Sequence, residues 1–373
     1  MKMKAFSKGV LIAFFAAVLF FPHLLAAVLP EKWSITADEK RTMASFPVFS
    51  FENIKQWPTE FENWYSDHLP FRHSLIRLNN NLEYYGFRNS TDKTVVIGKN
   101  GWLFYNDATD GDPIAMYEGR KQYDGNMLKQ IADELQTFSD ALKAQGREFV
   151  LFIAPNKERV YSEYMPDYLG KPAENYATDV LVAYLKEHTD VRVVYVYDAL
   201  MQAKKDYPQW DYYIAMDTHW NNIGAYVGCR ELLMELGFET VRTLDKVVIE
   251  DRGPASGDLR NKLNISIDKT KSARKYLVYG HGRDKSETIV NNPDAEAVFH
   301  KTGANHRKLL IIRDSFGEAM MPVMSAFFND CIFVHRKAYK QEMISEYNPR
   351  IVVWEMIERS CDKWLVDIER ALQ

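Results

Sequence analysis

Cysteine is scarce and scattered in this 373-residue chain, which holds only Cys229, Cys331 and Cys361. No CxxC pair or finger spacing occurs among them, so a structural zinc site is excluded and at most one disulfide is possible. Three buried free thiols are expected. No face crowded with Lys and Arg stands out either, and the net charge is −4, which excludes a nucleic-acid binder of the basic-patch kind. Internal repeats and collagen-like periodicity are also missing. The 46% apolar and 13% aromatic content describes a globular chain. Aromatics are what the sequence has in plenty, with 21 Tyr and 8 Trp. Such side chains serve core packing first and carbohydrate surfaces second.

One long apolar run is present. It extends from Gly9 to Leu29, interrupted only by Pro22 and His23, and follows Lys2, Lys4 and Lys8. About twenty residues are enough for a helix to cross the hydrocarbon core, and the basic flank holds the N-terminus in the cytoplasm. Residues 1–30 read either as a cleaved signal peptide or as an uncleaved signal-anchor. Leu24-Leu25-Ala26-Ala27 is a poor small-residue cleavage site, which favours the anchor. Both readings export the remaining chain, and the anchor reading makes a single-pass membrane protein with its domain on the periplasmic side.

Residues 31–120 read as an N-terminal part packing on the core. Helical spacing of Leu75, Leu78, Leu82 and Tyr85 predicts a helix over 74–85. Val95–Ile97 and Trp102–Tyr105 flank a Gly-Lys-Asn-Gly turn, predicting a hairpin near 95–105. Residues 121–373 alternate helices with short apolar strands. Helices are expected at 124–145, 175–187 and 221–237. Strands are expected at 148–154, 191–196, 309–312, 331–334 and 351–354, with an irregular insertion over 238–305. Continuous apolar strands alternating with helices indicate an α/β fold of three layers with a mainly parallel sheet.

Ile311-Ile312-Arg313-Asp314-Ser315-Phe316-Gly317 runs from a strand through a polar turn towards a helix. Such a turn lies at the carboxyl edge of a parallel sheet, where ligands bind. A serine there exposes its hydroxyl beside N–H groups that stabilise an oxyanion, but it needs a base to become a nucleophile. The other reading of Asp314 and Ser315 is a plain helix cap. Met216-Asp217-Thr218-His219-Trp220-Asn221 supplies that base in His219. Asp217, two residues earlier, is placed to reach the imidazole and fix its tautomer. Capping and a polar loop role are the alternatives. A metal is not expected, since a site needs three or four ligands and no second His/Asp cluster is visible. His335, near a strand end, reads as structural.

Asp-Thr-His-Trp (217–220) paired with a later Arg-Asp-Ser-Phe-Gly (313–317) resembles the SGNH-hydrolase-like domain of alginate O-acetyltransferases. Segments 62–72, 98–104, 154–157 and Ser256-Gly257-Asp258-Leu259 resemble that family too, so the likeness spans about residues 40–365. It is to the membrane-anchored, single-domain members. The resemblance implies an SGNH-type α/β sandwich with Ser315 as nucleophile, His219 as base and Asp217 as orienting acid, and it requires no cofactor. Ordinary SGNH enzymes add an oxyanion asparagine in a Gly-x-Asn-Asp block, which is absent here. Asn156 is the available substitute, with a turn role as the alternative. Lys157, Arg313 and Gly317 are the remaining candidates for oxyanion or substrate contacts.

The implied activity is transfer of acetyl to hydroxyls of an exported polysaccharide through an acetyl-serine. Acetyl-CoA is cytoplasmic, so the resemblance implies a multi-spanning membrane acyltransferase partner that passes acetyl across. A polysaccharide acetyl esterase and a non-catalytic assembly or glycan-binding subunit are the rival expectations.

Overall fold

The computed structural model describes residues 2–28, 42–255, 257–266, 274–279, 287–292, 295–302 and 304–371. They form two compact units, one of residues 1–91 with 264–266, the other of residues 92–263 with 267–373.

The first unit is helical. Helix α1 spans Lys2–Val28 and includes Pro22. Among the described residues no helix is long and apolar enough to cross a membrane. Helix α2, Trp57–His68, begins with Pro58 in its first turn, where no N–H partner is needed. Its rings stack along one side, Trp57 on Phe61 at 5.1 Å and Trp64 on His68 at 5.1 Å. Helix α3, Arg72–Asn81, continues into a π-helical turn at Leu82–Phe87. The apolar stripe expected there exists, but Leu75, Leu78, Leu82 and Tyr85 are exposed.

The second unit starts with the expected hairpin, β1 (Val95–Ile97) antiparallel to β2 (Leu103–Tyr105). It is built around a seven-stranded sheet. β3 (Glu148–Ala154), β4 (Arg192–Tyr195), β9 (Leu309–Arg313), β10 (Asp330–His335) and β11 (Ile351–Ile357) are parallel, in the order β4-β3-β11-β9-β10. β8 (Glu296–His300) and β7 (Glu287–Asn292) then extend it antiparallel beyond β10. The sheet is therefore mixed, a parallel block of five strands with two antiparallel strands added at one edge. The described residues of the span 238–305 hold, besides β7 and β8, a second small sheet, β5 (Val248–Pro254) with β6 (Arg274–Tyr279), and a short helix, Asp258–Leu263. β7 is exposed along its whole length, whereas β3, β9 and β11 are almost wholly buried and so read as apolar runs.

Alternation along the central strands makes three layers. Val150, Phe152, Ile311, Phe333 and Val353 face one core, shared with helices α6 (Tyr197–Asp206) and α7 (Asn222–Glu235). Leu151, Ile153, Ile312, Val334 and Trp354 face the other, covered by α4 (Gly125–Ala144), α5 (Ala177–His188) and α8 (Trp364–Ala371). Helix α4 begins where the Asp124 side chain accepts from Met127 N at 2.8 Å, and buries Leu128, Ile131, Leu135 and Leu142 at helical spacing. All three cysteines are free and buried.

Candidate active site

The chain between Tyr212 and Asn221 folds back on itself. Ile214 N donates to His219 O at 3.1 Å, Asn221 N to Tyr212 O at 3.0 Å, and Asp217 N to Ile214 O at 3.1 Å. Asn221 then caps α7, its Oδ1 accepting from Ile223 N at 2.9 Å and Gly224 N at 3.0 Å. Trp220 is buried and donates from Nε1 to Phe316 O at 2.9 Å. One indole thus fastens the 212–221 loop to the turn after β9.

That turn divides its labour. Asp314 is the cap: Oδ1 accepts from Phe316 N and Oδ2 from Ile357 N, both at 2.8 Å. Ser315 is relieved of capping and exposed. His219 Nε2 lies 2.8 Å from Ser315 Oγ, and His219 Nδ1 lies 2.7 Å from Asp217 Oδ1. With Nδ1–H donating to the carboxylate, Nε2 is left to accept the serine proton. The structure brings Ser315, His219 and Asp217 into one hydrogen-bonded chain.

Burial pushes the Asp217 pKa up, but the hydrogen bond and charge of His219 outweigh it and hold the carboxyl below its usual value. For His219 burial works downward, and the bond and charge of Asp217, helped by Asp258, carry it above the ordinary histidine value. Such an imidazole is a stronger base than a free one.

Asp258 is a site residue that spacing alone did not reveal. Its backbone N donates to Asp217 Oδ2 at 2.8 Å. Its carboxylate accepts from Thr218 N at 2.8 Å and Thr218 Oγ at 2.6 Å, and stands 3.9 Å from His219 Nδ1. The Ser-Gly-Asp-Leu segment that carries it was legible only as part of the family likeness. Gly257 makes the approach possible, since a Cβ there would lie 1.9 Å from Met216 O. Asp217, His219 and Asp258 place potential metal-ligand atoms within 4.8 Å of one another. Every oxygen of the two carboxylates already accepts from an N–H or O–H, however, which is the geometry of a hydrogen-bond network.

The secondary candidates are all buried. Asn156 is fully buried, its N–H bonded to Glu358 Oε2 at 2.7 Å and its Nδ2 aimed at Met116 Sδ at 3.7 Å. Nothing among its described contacts turns it towards Ser315. Lys157 is also buried, and its ammonium donates to the carbonyls of Ile214 (3.3 Å), Ala215 (3.2 Å) and Asp217. It clamps the loop under the acid, and burial pushes its pKa down to about 8. Arg313 is buried, with Nη1 donating to Asp314 O at 3.0 Å. Gly317 is a packing glycine: a Cβ would lie 2.6 Å from Arg313 Cβ and 2.9 Å from Glu355 Oε2. The Glu355 carboxyl, its pKa pushed well above the usual carboxylate range by burial and by neighbouring Asp314, accepts from Asp314 N at 3.0 Å beneath the turn.

Residues 95–279 match the family described as SGNH hydrolase-like domain, acetyltransferase AlgX. The match includes Asp217, His219 and Asp258, and Ser315 lies beyond it. Over 179 residues the chain is 30% identical to a protein named probable alginate O-acetylase AlgJ, from Pseudomonas syringae pv. tomato, covering 48% of this chain and 42% of that protein. The matched stretch thus spans less than half the length of this relative. Among solved structures the fold is similar to Bacillus cereus PatB1, with TM-score 0.54 and 17% identity over 72% of this chain and 96% of that one. It is also similar to a DHHW family protein from Eubacterium siraeum, with TM-score 0.51 and 17% identity over 75% and 99%. At such identities these likenesses establish the fold alone.

Proposed function

We propose, from the match of residues 95–279 to the family described as SGNH hydrolase-like domain, acetyltransferase AlgX, that this protein is a serine-dependent O-acetyltransferase acting on hydroxyls of an exported polysaccharide. The observation that carries this reading is the continuous chain Asp217 Oδ1, His219 Nδ1, His219 Nε2, Ser315 Oγ, with links of 2.7 and 2.8 Å. In the first step Ser315 Oγ attacks the carbonyl carbon of an acetyl donor while His219 Nε2 takes the hydroxyl proton. The imidazolium, balanced by Asp217, then protonates the leaving group. In the second step a sugar hydroxyl gives its proton to His219 and attacks the acetyl-serine. The ester bond to Ser315 breaks, and Oγ regains the proton.

The relative named as a probable alginate O-acetylase supports a polysaccharide acceptor. Membrane anchoring rests on the sequence alone, on the basic-flanked apolar run from Gly9 to Leu29, and on this reading the catalytic unit lies on the periplasmic side. A multi-spanning acyltransferase supplies acetyl to it there, since the cytoplasmic donor does not cross the membrane.

The exposure of Ser315 favours a second reading, acetyl esterase, because water would reach the acyl-enzyme unless the bound glycan excludes it. One incubation separates the two. Full-length chain is mixed with p-nitrophenyl acetate and candidate exported glycans, and acetyl on the glycan is read by NMR. New acetyl esters support transfer, whereas a deacetylated glycan with no acetylated product contradicts it.

A further inference from the structure

Strand β11 delivers a cation to the sheet edge that carries Ser315. β11 and β9 are adjacent and parallel, and the Asp314–Ile357 hydrogen bond locks their two terminal turns together. Arg359 follows two residues on, its backbone held so tightly that a Cβ on Gly111 would lie 2.0 Å from its carbonyl oxygen. Its guanidinium stands 5.9 Å from the ring of Phe316, the residue after the nucleophile, and 5.2 Å from the ring of Tyr105. Stacking of this kind suits a planar cation and fixes its direction.

The cation is poorly compensated for its burial. Its side chain is 10% exposed, and Nε reaches Asp110 Oδ2 only at 3.5 Å. Asp110 is already held by Lys363. Glu158, the other acid that feels its charge, has an oxygen accepting from Tyr105 N at 3.0 Å. Nη1 and Nη2 have no protein partner among the described residues, and neither is sealed from solvent. Removing a charge from water is costly unless a partner is supplied. The unpaired fork has the shape that binds a carboxylate through two parallel N–H donors. Its field also reaches His219, where it opposes Asp217 and Asp258.

We propose that Arg359 forms an anion subsite beside the triad that takes a carboxylate of the acceptor sugar and so selects acidic glycans. This rests on the acyl-transfer reading of Ser315. A carboxylate held there sets the hydroxyls of the same ring at the mouth of the triad.

The test uses full-length protein in detergent micelles with p-nitrophenyl acetate as donor. The two acceptors are a uronic-acid oligosaccharide and the same oligosaccharide with its carboxyls reduced to alcohols. The wild type is expected to favour the acid, as the ratio of kcat/KM values. Arg359→Gln is expected to lower that ratio about tenfold or more, the loss of one charge-assisted pair. Arg359→Lys, which keeps the charge without the fork, falls between, and thermal unfolding of both variants separates misfolding from lost recognition. An unchanged ratio in Arg359→Gln overturns the subsite, whether both acceptors suffer equally or neither does. Equal wild-type use of the two acceptors overturns it too, whereas transfer to neither overturns the acyl-transfer reading itself.

Discussion

Replacing Lys157 by Met keeps the buried stem and removes only the ammonium. Three carbonyls lose a donor, but not equally. Ile214 O keeps Asp217 N at 3.1 Å, and Ala215 O keeps Leu103 N at 2.9 Å. Asp217 O has Lys157 as its recorded donor, so the damage concentrates under the acid of the triad. An orphaned buried carbonyl costs about 1–3 kcal/mol. Losing the cation 5.7 Å from Trp102 and 5.2 Å from Phe104 adds about 1 kcal/mol. Met recovers part of this because no charge is desolvated any longer, leaving a net destabilisation of about 2 kcal/mol. The kinetic effect is larger: a freed Asp217 backbone lets His219 drift, and a misplacement of about 1 Å costs on the order of 10²-fold in kcat. Chemical denaturation followed by tryptophan fluorescence reads the first quantity, and steady-state hydrolysis of p-nitrophenyl acetate reads the second. A destabilised variant with wild-type kcat would refute the positioning role. Loss of activity at unchanged stability would refute the clamp.

The other predictions follow from the same cluster. Since the base must be neutral and His219 lies above 6.5, the ordinary histidine value, log kcat/KM should fall with decreasing pH through a limb above that value; a limb at or below it contradicts the assignment. Asp217 is held low and does not titrate in that range. Asp258→Asn keeps an acceptor for Thr218 N but deletes a charge 3.9 Å from His219 Nδ1, so the limb should move to lower pH, and an unmoved limb rejects the second acid. Gly257→Ala drives a methyl into Met216 O and should cost about 1–3 kcal/mol in a denaturant titration; a neutral effect would mean the 257–260 turn moves freely.

Local grammar made much of this legible. Buried parallel strands announce themselves as apolar runs, and Asp124 and Asn221 mark helix starts by their capping chemistry. Asp217 and His219 sit two residues apart, so the one chain turn that brings them together is visible in sequence. The partnership of His219 with Ser315 is not, because it depends on where β9 and α7 sit in the layers. In sequence, Asn156 is the available substitute for an oxyanion asparagine, and Lys157, Arg313 and Gly317 are the further candidates for substrate contact. Their described contacts are inward ones: carbonyl oxygens for Lys157, a methionine sulfur for Asn156, a neighbouring carbonyl for Arg313 and close packing for Gly317. Arg359 carried no motif at all, and only the adjacency of β9 and β11 gives it a role. The strands within 238–305 are not among those expected from sequence; in β7 the reason is plain, since an exposed edge strand does not need an apolar pattern.

The central claim is an acetyl group carried by Ser315. Rapid quench of the full-length protein with p-nitrophenyl acetate, then peptide mass spectrometry, reads it directly. The account predicts a single acetyl on the peptide containing Ser315, lost when glycan is added and absent from Ser315→Ala. An acetyl on another residue, or full turnover by Ser315→Ala, would contradict it.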